Sequence, residues 1–416
     1  GERETGSYPV IASKGQVGTH IEYKVKGPGV VIGRSGTLGG GQYIKTSFWP
    51  LNTTLWVKDF KGNDPRFCYY LLKGMDFSKY NAGSGVPTLN RNHVHSLPTR
   101  IPKDVNEQRQ IASILGSFDD KIELNQRMNQ TLEEMAQALF KSWFIDFDPV
   151  VFNAVQAGNP IPEPFEEKAE RYRQDPELMR LPQETLALFP DGFEESELGW
   201  IPRGWGVERL RDHLKIQRGL SYKGADLCAE GEGLPMHNLN SILEGGEYKF
   251  SGIKYYKGDF KSRHLIEPGD LIVANTEQGF DRQLIGHAAL VPESLGDKGI
   301  YSHHLYKVEI EKESLLNTQF LLYLLNCYKW HSWISGFANG TTINMLPKDA
   351  LEKPLIPVPD KSVLDSFSDF SLGIRKRCEH SIAENDRLEK YRDFILPRLL
   401  SGKALPYQKK LAEGVS

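Results

Sequence analysis

Two polar loops carry side chains whose hydrogen-bonding groups match the edges of nucleobases. The first loop, residues 33–42, combines a glycine-rich backbone with Arg34 and Gln42. The second, residues 274–283, has Asn275 and further Gln and Arg side chains in place of the glycines. Arginine pairs with guanine, and Asn or Gln pairs with adenine, each good bidentate contact discriminating by about 1–3 kcal/mol. These residue types indicate base recognition, although tight strand turns, with Arg34 on a solvated face, would explain the first loop equally well.

The side chains around these loops add further candidates for contacts to bases or phosphates. In the first half of the chain the candidates are Lys14, Arg34, Ser35, Thr37, Gln42, Lys45, Asn90 and Arg91. In the second half they are Lys223, Asn238, Asn240, Arg263, Asn275, Thr276, Gln278, Arg282, Gln283, His303, His304, Asn339, Thr341 and Thr342. Taken singly, most of these are also explained as ordinary surface residues. Strand alternation would turn one of the two adjacent histidines toward the core and the other toward the surface.

The sequence holds no motif that would supply catalysis, a metal site or a cofactor site. It lacks an Asn-Pro-Pro-Tyr-type methylase motif, and no Gly-Lys-Ser/Thr follows the glycine-rich loop. The acidic residues from Asp191 to Glu197 lack the Glu-x-Lys spacing of a metal nuclease. No apolar run approaches the roughly 18 residues of a membrane span. The cysteines, which show no C-x-x-C pair, indicate neither a zinc site nor a disulfide framework and favour a reducing cytoplasm: Cys68, Cys228, Cys327 and Cys378.

The charge of the chain is unevenly distributed. Its formal net charge of −3 argues weakly against a nucleic-acid partner, because such proteins neutralise phosphates with Lys and Arg. Residues 161–197 alone carry a net charge of −7. The rest of the chain is therefore net positive, and basic surface outside this acidic linker is expected.

The two halves of the chain match segment by segment, which indicates a tandem duplication. The matches are Leu132-Glu133 with Leu388-Glu389 (offset 256), Phe67 and Tyr70 with Phe320 and Tyr323 (253), Pro28-Gly29 with Pro268-Gly269 (240), and residues 85–90 with 340–344. Offsets that shrink toward the N-terminus predict insertions in the second half. Residues 198–223 have no counterpart before Gly1, so the first repeat is expected to lack its first strand or two.

Each half ends in a long segment with apolar residues at alternating steps of four and three. This spacing predicts a helix with a coiled-coil seam, and the economical arrangement pairs the two helices with each other. Asn129 and Asn385 are candidate polar residues that set the register. Alternatively, each apolar stripe covers its own domain. Three aromatic residues at the end of the first helix either complete the bundle core or dock a partner: Trp143, Phe144 and Phe147.

Several motifs resemble the specificity subunits of Type I restriction-modification systems. They lie at residues 28–36, 101–112, 118–122, 132–147, 198–205 and 396–402. The second helical segment departs from the family pattern at its start, because Asp360–Asp365 replaces the Glu-Gln-Arg motif of the first.

The resemblance implies an α+β fold in which two similar mixed α/β target-recognition domains are separated by two long helices packed as an antiparallel coiled coil. The expected domains are a truncated recognition domain (1–103), a central helical region with the acidic linker (104–197), a second recognition domain (198–359) and a C-terminal helical region (360–416). Each recognition domain would read one half of an asymmetric, bipartite double-stranded DNA site.

The resemblance also implies partners. The helices would set the spacer and dock two modification subunits, and restriction subunits would join the complex. Chemistry, with S-adenosylmethionine, ATP and Mg, would belong to those partners, so this chain would not itself be an enzyme. The alternative is a coiled-coil adaptor that spaces two protein-recognition domains without binding DNA.

Overall fold

A computed structural model of the chain describes residues 5–83, 85–277, 283–338 and 344–401. The chain divides into two compact units. Unit 1 comprises residues 1–127 and 381–416, and unit 2 comprises residues 128–380. Among the described residues, no helix is both long and apolar enough to cross a membrane.

Unit 1 contains two small sheets. Its strands are β1 (Tyr8–Ala12), β2 (Gly15–His20), β3 (Gly29–Gly33), β4 (Gly39–Ile44), β5 (Trp49–Pro50) and β6 (Thr54–Trp56). One sheet has the order β2-β1-β5, with β1 antiparallel to β2 and parallel to β5. The other has the order β4-β3-β6 and is antiparallel throughout.

Two short helices and the first long helix follow these sheets. They are α1 (Pro65–Lys73), α2 (Arg91–His95) and α3 (Val105–Phe144), the last of which continues into unit 2. Helix α1 begins where it does because the Asp64 side chain accepts a hydrogen bond from the Phe67 N–H, and because Pro65 fits the first helical position.

Unit 2 contains more elements than unit 1. Its further helices are α4 (Asp148–Ala157), α5 (Glu166–Gln174), α6 (Gln183–Leu186), α7 (Thr318–Asn326), α8 (Tyr328–Gly336), α9 (Asp349–Glu352) and α10 (Lys361–Leu400), which continues into unit 1. Its strands are β7 (Phe193–Ser196), β8 (Gly199–Pro202), β9 (Gly206–Arg209), β10 (Leu214–Arg218), β11 (Leu227–Cys228), β12 (Leu234–His237), β13 (Lys254–Tyr256), β14 (Leu265–Ile266), β15 (Leu271–Ala274), β16 (Ala288–Leu290), β17 (Gly299–Tyr301), β18 (Leu305–Ile310) and β19 (Leu355–Val358).

The strands of unit 2 form two larger sheets and two two-stranded sheets. The sheet orders are β10-β18-β15-β16 and β11-β13-β12-β17-β14, and the pairs are β7-β8 and β19-β9. The β4-β3-β6 sheet of unit 1 matches β16-β15-β18, and β2-β1-β5 matches β13-β12-β17, including the parallel pair in each. Strand β10 lies within residues 198–223, the segment for which the sequence predicted no counterpart in the first repeat.

The helices repeat as closely as the sheets. Helices α1 and α7 have nine residues each and are offset by 253, and helices α3 and α10 have forty residues each and are offset by 256. These are the offsets found in the sequence. The predicted α+β class and the tandem duplication are confirmed.

Within unit 1, the first part of α3 packs antiparallel to the last part of α10. Ile111 and Leu115 share a buried cluster with Leu396 and Leu399. Farther along α3, Asn125 meets residues of α10 that precede those leucines in the chain. Antiparallel packing was the predicted arrangement.

The polar contact in this seam differs from the predicted one. The fully buried Asn125 donates from Nδ2 to Asn385 Oδ1 and to Glu384 Oε2, at 2.8 Å in each case. Asn129 was the expected seam residue on α3, but it lies one helical turn farther on. Heptad spacing fixes which face of a helix is buried, but it does not fix the axial register of the partner.

Within unit 2, the last part of α3 packs antiparallel to the first part of α10. Asn129 donates to the Cys378 carbonyl oxygen at 3.4 Å. Three turns farther along α3, the Phe140 ring lies 5.5 Å from that of Phe367. Both rings are buried in the largest hydrophobic cluster of unit 2.

The aromatic residues that end α3 belong to this core of unit 2. The Trp143 ring meets Phe189 edge-on at 5.0 Å, Phe144 meets Phe367 at 5.3 Å, and Phe147 lies 5.8 Å from Trp205. Of the two roles considered for these three residues, the structure places them in the bundle core.

The acidic segment of residues 161–197 folds against the same core rather than forming an extended linker. Its Asp and Glu residues are exposed, whereas Ala169, Leu186, Phe189 and Phe193 are buried. The segment can carry many acidic side chains because these side chains face solvent. Its spaced apolar residues, which the net charge conceals, attach it to unit 2.

Phe140→Ala should destabilise unit 2 by about 3–5 kcal/mol, because it leaves a cavity among packed aromatic rings. Met135→Ala on the same helix, where the side chain is 52% exposed, should change stability by at most about 0.5 kcal/mol. Urea unfolding followed by circular dichroism measures both. Equal stability of the two variants would contradict the packing described for α3.

Arg392→Met should destabilise unit 1 by about 3 kcal/mol, because Arg392 pairs with Asp119, whose carboxylate also accepts from the Tyr70 hydroxyl at 2.6 Å. The double variant with Asp119→Asn should recover most of the loss. Lys390→Met removes an exposed ion pair with Asp386 and should cost at most about 0.5 kcal/mol. Thermal unfolding compares Arg392→Met, the double variant and Lys390→Met. If Arg392→Met alone were as stable as the double variant, the role given to the Arg392 and Asp119 pair would be wrong.

Candidate nucleic-acid interface

Residues Arg34 and Ser35, directly after β3, are held by backbone hydrogen bonds on both sides. The Arg34 N–H donates to the Thr53 carbonyl at 2.8 Å, and the Arg34 carbonyl accepts from the Leu89 N–H at 2.8 Å. Ser35 pairs with Thr88 as an isolated bridge. We call these five residues frame 1.

Unit 2 repeats this arrangement after β15. The Asn275 N–H donates to the His304 carbonyl at 3.0 Å, and the Asn275 carbonyl accepts from the Leu346 N–H at 2.8 Å. Thr276 pairs with Met345 as an isolated bridge. These five residues are frame 2, and their backbone hydrogen bonds correspond one to one with those of frame 1.

The frames correct one alignment made from sequence. The backbone hydrogen bonds match Leu89 with Leu346, an offset of 257. The similarity of residues 85–90 to 340–344 would match Leu89 with position 343, so that alignment is wrong by three residues. Short polar motifs align ambiguously, whereas hydrogen-bond partners do not.

The side chains on the two frames differ in exposure and chemistry. Arg34 is exposed, so its guanidinium donors are accessible. Its counterpart Asn275 is fully buried and donates from Nδ2 to the His303 carbonyl at 3.1 Å. A shared backbone thus presents a long cationic donor in one unit and a fixed amide in the other.

Both frames adjoin buried polar atoms that have no hydrogen-bond partner among the described residues. Beside frame 2 these are Asn275 Oδ1, Ser302 Oγ and His303 Nδ1, and in frame 1 the atom is Thr53 Oγ1. Leaving such a group unpaired costs about 1–3 kcal/mol. These atoms are enclosed by the protein and keep unused hydrogen-bonding capacity.

The two histidines beside frame 2 are both half-buried, so the expectation of one inward and one outward side chain is wrong. They occupy a turn, because β18 begins only at Leu305, and strand alternation does not apply to them. Their rings lie 3.9 Å apart, and His304 Nδ1 is 3.0 Å from Thr276 Oγ1.

Burial lowers the pKa of His303 and of His304 below the usual value of 6.5, and Arg218 acts in the same direction. Both imidazoles are therefore neutral at pH 7. A neutral imidazole offers one donor and one acceptor rather than a charge. That chemistry suits a hydrogen-bonding partner better than a phosphate.

The glycine-rich stretch of unit 1 is only partly a loop, because β4 begins at Gly39. Gly39, Gly40 and Gly41 all have positive φ angles between 71° and 78°, which explains why glycine fills these positions. Gln42 lies in β4 and donates from Nε2 to the Ala12 carbonyl at 3.1 Å, linking the two sheets of unit 1.

The other candidates in unit 1 are spread along its surface. Lys14 is exposed in the turn between β1 and β2, and Thr37 is exposed after frame 1. Lys45 forms an ion pair with Glu123 of α3 at 2.9 Å. Asn90 caps α2 by accepting from the Asn92 N–H at 3.0 Å, and the exposed Arg91 is the first residue of that helix.

The candidates in unit 2 fall into two groups. Asn238 is buried and donates to the Gly252 carbonyl at 2.7 Å while accepting from the Asn240 N–H, so it holds a turn. Lys223, Arg263 and Gln283 are exposed. The remaining candidates lie outside the described residues: Gln278, Arg282, Asn339, Thr341 and Thr342.

Sequence reasoning missed Thr53, Thr88, Ser302 and Met345. Thr88 lies in residues 85–90, which indicated only the alignment of the repeats, and the other three lie in no polar loop or recognisable motif. The match of Thr53 with His304 follows from the backbone hydrogen bonds of the two frames and is not among the offsets found in the sequence. Within the described ranges, no three His, Cys, Asp or Glu side chains are arranged to hold a metal ion.

Comparison with known families gives a match over both repeats. The family model described as "Type I restriction modification DNA specificity domain" matches residues 2–134 and 202–374. These ranges cover well over half of the chain and include both frames. The match confirms the resemblance seen in the sequence motifs.

Curated relatives agree with the family model. The Type I restriction enzyme HindI specificity subunit of Haemophilus influenzae is 28% identical over 371 residues, covering 82% of this chain and 77% of the relative. The MjaIX specificity subunit of Methanocaldococcus jannaschii is 23% identical over 381 residues, covering 87% of this chain and 74% of the relative.

A solved structure shares the fold. The crystal structure of the S subunit of a Type-I restriction-modification system from M. genitalium superposes with a TM-score of 0.50 at 12% identity, covering 95% of this chain and 89% of that one. Because the family model matches both repeats and most of the residues, this chain belongs to the family of Type I restriction-modification DNA specificity subunits.

Proposed function

We propose that this chain is the DNA-reading component of a Type I restriction-modification complex, and that each unit reads one half of an asymmetric, bipartite double-stranded site. The observation that carries the proposal is the conserved backbone of frames 1 and 2 with different side chains on it. A shared scaffold gives both units the same approach to DNA. Unlike side chains then select unlike half-sites.

The chemistry of each frame suggests what it reads. Arg34, which is exposed and has paired donors, suits guanine. Asn275 is fully buried, so it acts on its half-site by fixing the His303 backbone rather than by reaching a base itself. The neutral histidines beside Asn275 add a donor and an acceptor without charge. Asn275 Oδ1, Ser302 Oγ and His303 Nδ1 have no hydrogen-bond partner among the described residues. Buried groups held by the backbone are preorganised, so binding orders few side chains.

We assign the remaining candidates to supporting contacts with bases or phosphates. Exposed lysines and arginines suit phosphates, which position the protein without carrying sequence information. In unit 1 these supporting residues are Lys14, Ser35, Thr37, Gln42, Lys45, Asn90 and Arg91. In unit 2 they are Lys223, Asn240, Arg263, Thr276, Gln278, Arg282, Gln283, Asn339, Thr341 and Thr342. Asn238 is not among them, because it is buried and holds a turn.

In the same proposal, α3 and α10 set the spacer between half-sites and dock two modification subunits, with restriction subunits completing the complex in the cytoplasm. Exposed apolar side chains on the long helices support docking: Leu124, Met135, Phe370, Leu372, Tyr391 and Phe394. Catalysis, and the S-adenosylmethionine, ATP and Mg that it requires, belongs to those partners.

Arg34→Ala and Asn275→Ala, each co-expressed with the modification subunit, should relax opposite halves of one methylated split motif. For Arg34, loss of a bidentate contact lowers discrimination about 5- to 150-fold at the affected position. For Asn275, the change follows from lost support of the His303 backbone. Long-read sequencing of the host genome measures the methylated motif. Lys298→Ala, an exposed residue outside both frames, is the control and should leave both halves unchanged.

Arg34→Ala should also leave the thermal stability of the chain unchanged, because the side chain is exposed. A shift in the motif for this variant therefore reports lost recognition rather than lost folding. If both substitutions altered the same half-site, or neither altered any, the assignment of one half-site to each frame would be wrong.

Lys14→Ala and Lys223→Ala should each weaken binding to duplex DNA without changing the motif. Each phosphate contact contributes about one unit to the slope of log K against log salt concentration, so each variant should lower the slope by about one. Filter binding with the modification subunit present measures the slope. Absence of salt-dependent DNA binding by the complex would favour the protein-recognition adaptor instead.

A further inference from the structure

Unit 2 has a pocket between the first residues of α7 and the first half of α10, with a volume of about 310 Å³. We call it the α7 slot. Pro268, which lines the slot, precedes β15, whereas frame 2 follows β15. The slot and frame 2 therefore lie at opposite ends of this strand. A ligand in the slot makes contacts other than those proposed for DNA.

Gln319 brings a buried polar group to the slot that the protein leaves unpaired. Its side chain is 5% exposed, and its Oε1 atom has no hydrogen-bond partner among the described residues. A buried acceptor without a partner is unfavourable in the folded state. Because Gln319 lines the slot, a ligand that donates a hydrogen bond there would satisfy this oxygen.

The equivalent position in unit 1 is filled by the protein itself. The helix offsets of 253 and 256 relate Gln319 to Arg66 and Lys376 to Asp120. Arg66 donates from Nη1 to Asp120 Oδ2 at 2.9 Å and from Nη2 to Asp120 Oδ1 at 2.8 Å. Unit 2 has an amide and an ammonium at these two positions, which cannot form such an ion pair.

A third exchange between the units keeps the slot from being closed in the same way. In unit 1, a Cβ atom on Gly116 would lie 2.4 Å from Arg66 Cζ, so the guanidinium requires glycine there. Unit 2 has Leu372 at the equivalent position, and this side chain is exposed and lines the slot. Leu372 therefore excludes a guanidinium on that path and gives the slot an apolar wall.

The slot presents one unpaired charge of each sign. Arg375 and Glu379 line it but pair with each other at 2.9 Å. Lys376 and Glu293 also line it, and both are exposed. Neither forms an ion pair within the part of the chain that the structure describes, including with each other. A ligand that carries both a negative and a positive group would complement these two charges.

The start of α7 adds donors for the negative group. The Asn317 side chain accepts a hydrogen bond from the Phe320 N–H at 2.9 Å. The N–H groups of Thr318 and Gln319, in the first turn, have no acceptor within the helix. Both residues line the slot. Such N–H groups, together with the helix dipole, favour a carboxylate at the start of a helix.

We propose that the α7 slot binds a zwitterionic α-amino acid with an apolar side chain. The carboxylate of the ligand accepts from Lys376 and from the first N–H groups of α7. Its ammonium donates to Gln319 Oε1 and pairs with Glu293, and its side chain contacts Leu372. A ligand with a single charge would leave one of the two slot charges unpaired. The inference goes beyond the proposed function and does not rest on it.

Matched ligands test the two charges separately. Ligand-detected NMR titrations of the full chain compare L-leucine and L-methionine with N-acetyl-L-leucine, which lacks the ammonium, and with L-leucinamide, which lacks the carboxylate. L-Leucine or L-methionine should bind with a Kd of about 1 mM. Each single-charge analogue should bind about tenfold more weakly, because it loses one charge-assisted hydrogen bond. Binding of neither amino acid, or equal affinity for both analogues, would overturn the proposal.

Substitutions in the slot should match these ligands one to one. Glu293→Gln should weaken L-leucine about tenfold and leave N-acetyl-L-leucine unchanged, because that analogue has no ammonium. Lys376→Gln should weaken L-leucine and leave L-leucinamide unchanged. Arg377→Gln, an exposed neighbour on α10 outside the slot lining, is the control and should change no affinity. If Arg377→Gln weakened L-leucine as much as Lys376→Gln, general surface charge would explain the binding and the proposal would fail.

Gln319→Leu tests whether the unpaired amide serves the ligand or the fold. Without ligand, this variant should raise the midpoint of thermal unfolding by about 2–4 °C, because an apolar group of similar size replaces an unpaired buried acceptor. It should also weaken L-leucine about tenfold. A lower midpoint, or an unchanged affinity for L-leucine, would contradict the role given to Gln319 and overturn the proposal.

Discussion

The antiparallel packing of α3 against α10 is the constraint on which each unit depends. Each helix buries a single stripe, which packs against the other helix and against the sheets and short helices of its unit. In unit 1 the seam is secured by the buried Asn125 and by the Asp119 and Arg392 pair. In unit 2 it is secured by packed aromatic rings around Phe140 and Phe367. A buried polar contact tolerates few alternative registers, because a slip would leave its donors unpaired.

The sheets of the two units carry frames 1 and 2, which share a backbone arrangement and differ in side chains. Backbone hydrogen bonds hold frames 1 and 2, so their geometry survives a change of side chain. Arg34 and Asn275 occupy one backbone position and differ in length, charge and burial. In the proposed function, duplication of such a scaffold and divergence at these positions would yield two readers of related shape and different preference. Membership of the specificity-subunit family is consistent with this division of labour.

The sequence predicted the long helices and the repeat well, because apolar periodicity and residue offsets are local signals. It predicted the seam partners poorly. Asn129 and Asn385 were the expected polar seam residues, but the residue of α3 that contacts Asn385 is Asn125, because periodicity does not fix the axial register of two helices. The candidate site was predicted in part. The polar loops pointed to frame residues, but Thr53 was missed and the burial of His304 was misjudged, because strand ends and tertiary hydrogen bonds are not encoded in local composition.

The seam itself can be tested by a disulfide cross-link to a native cysteine. In unit 2, Asn129 Nδ2 lies 3.4 Å from the Cys378 carbonyl oxygen, and the Cys378 thiol faces the same residue. Asn129→Cys should form a bond to Cys378 on mild oxidation, identified by peptide mass spectrometry, whereas Gln130→Cys, on the exposed face, should not. Cross-linking from position 130 instead, or no bond between 129 and 378, would contradict the antiparallel register on which the account rests.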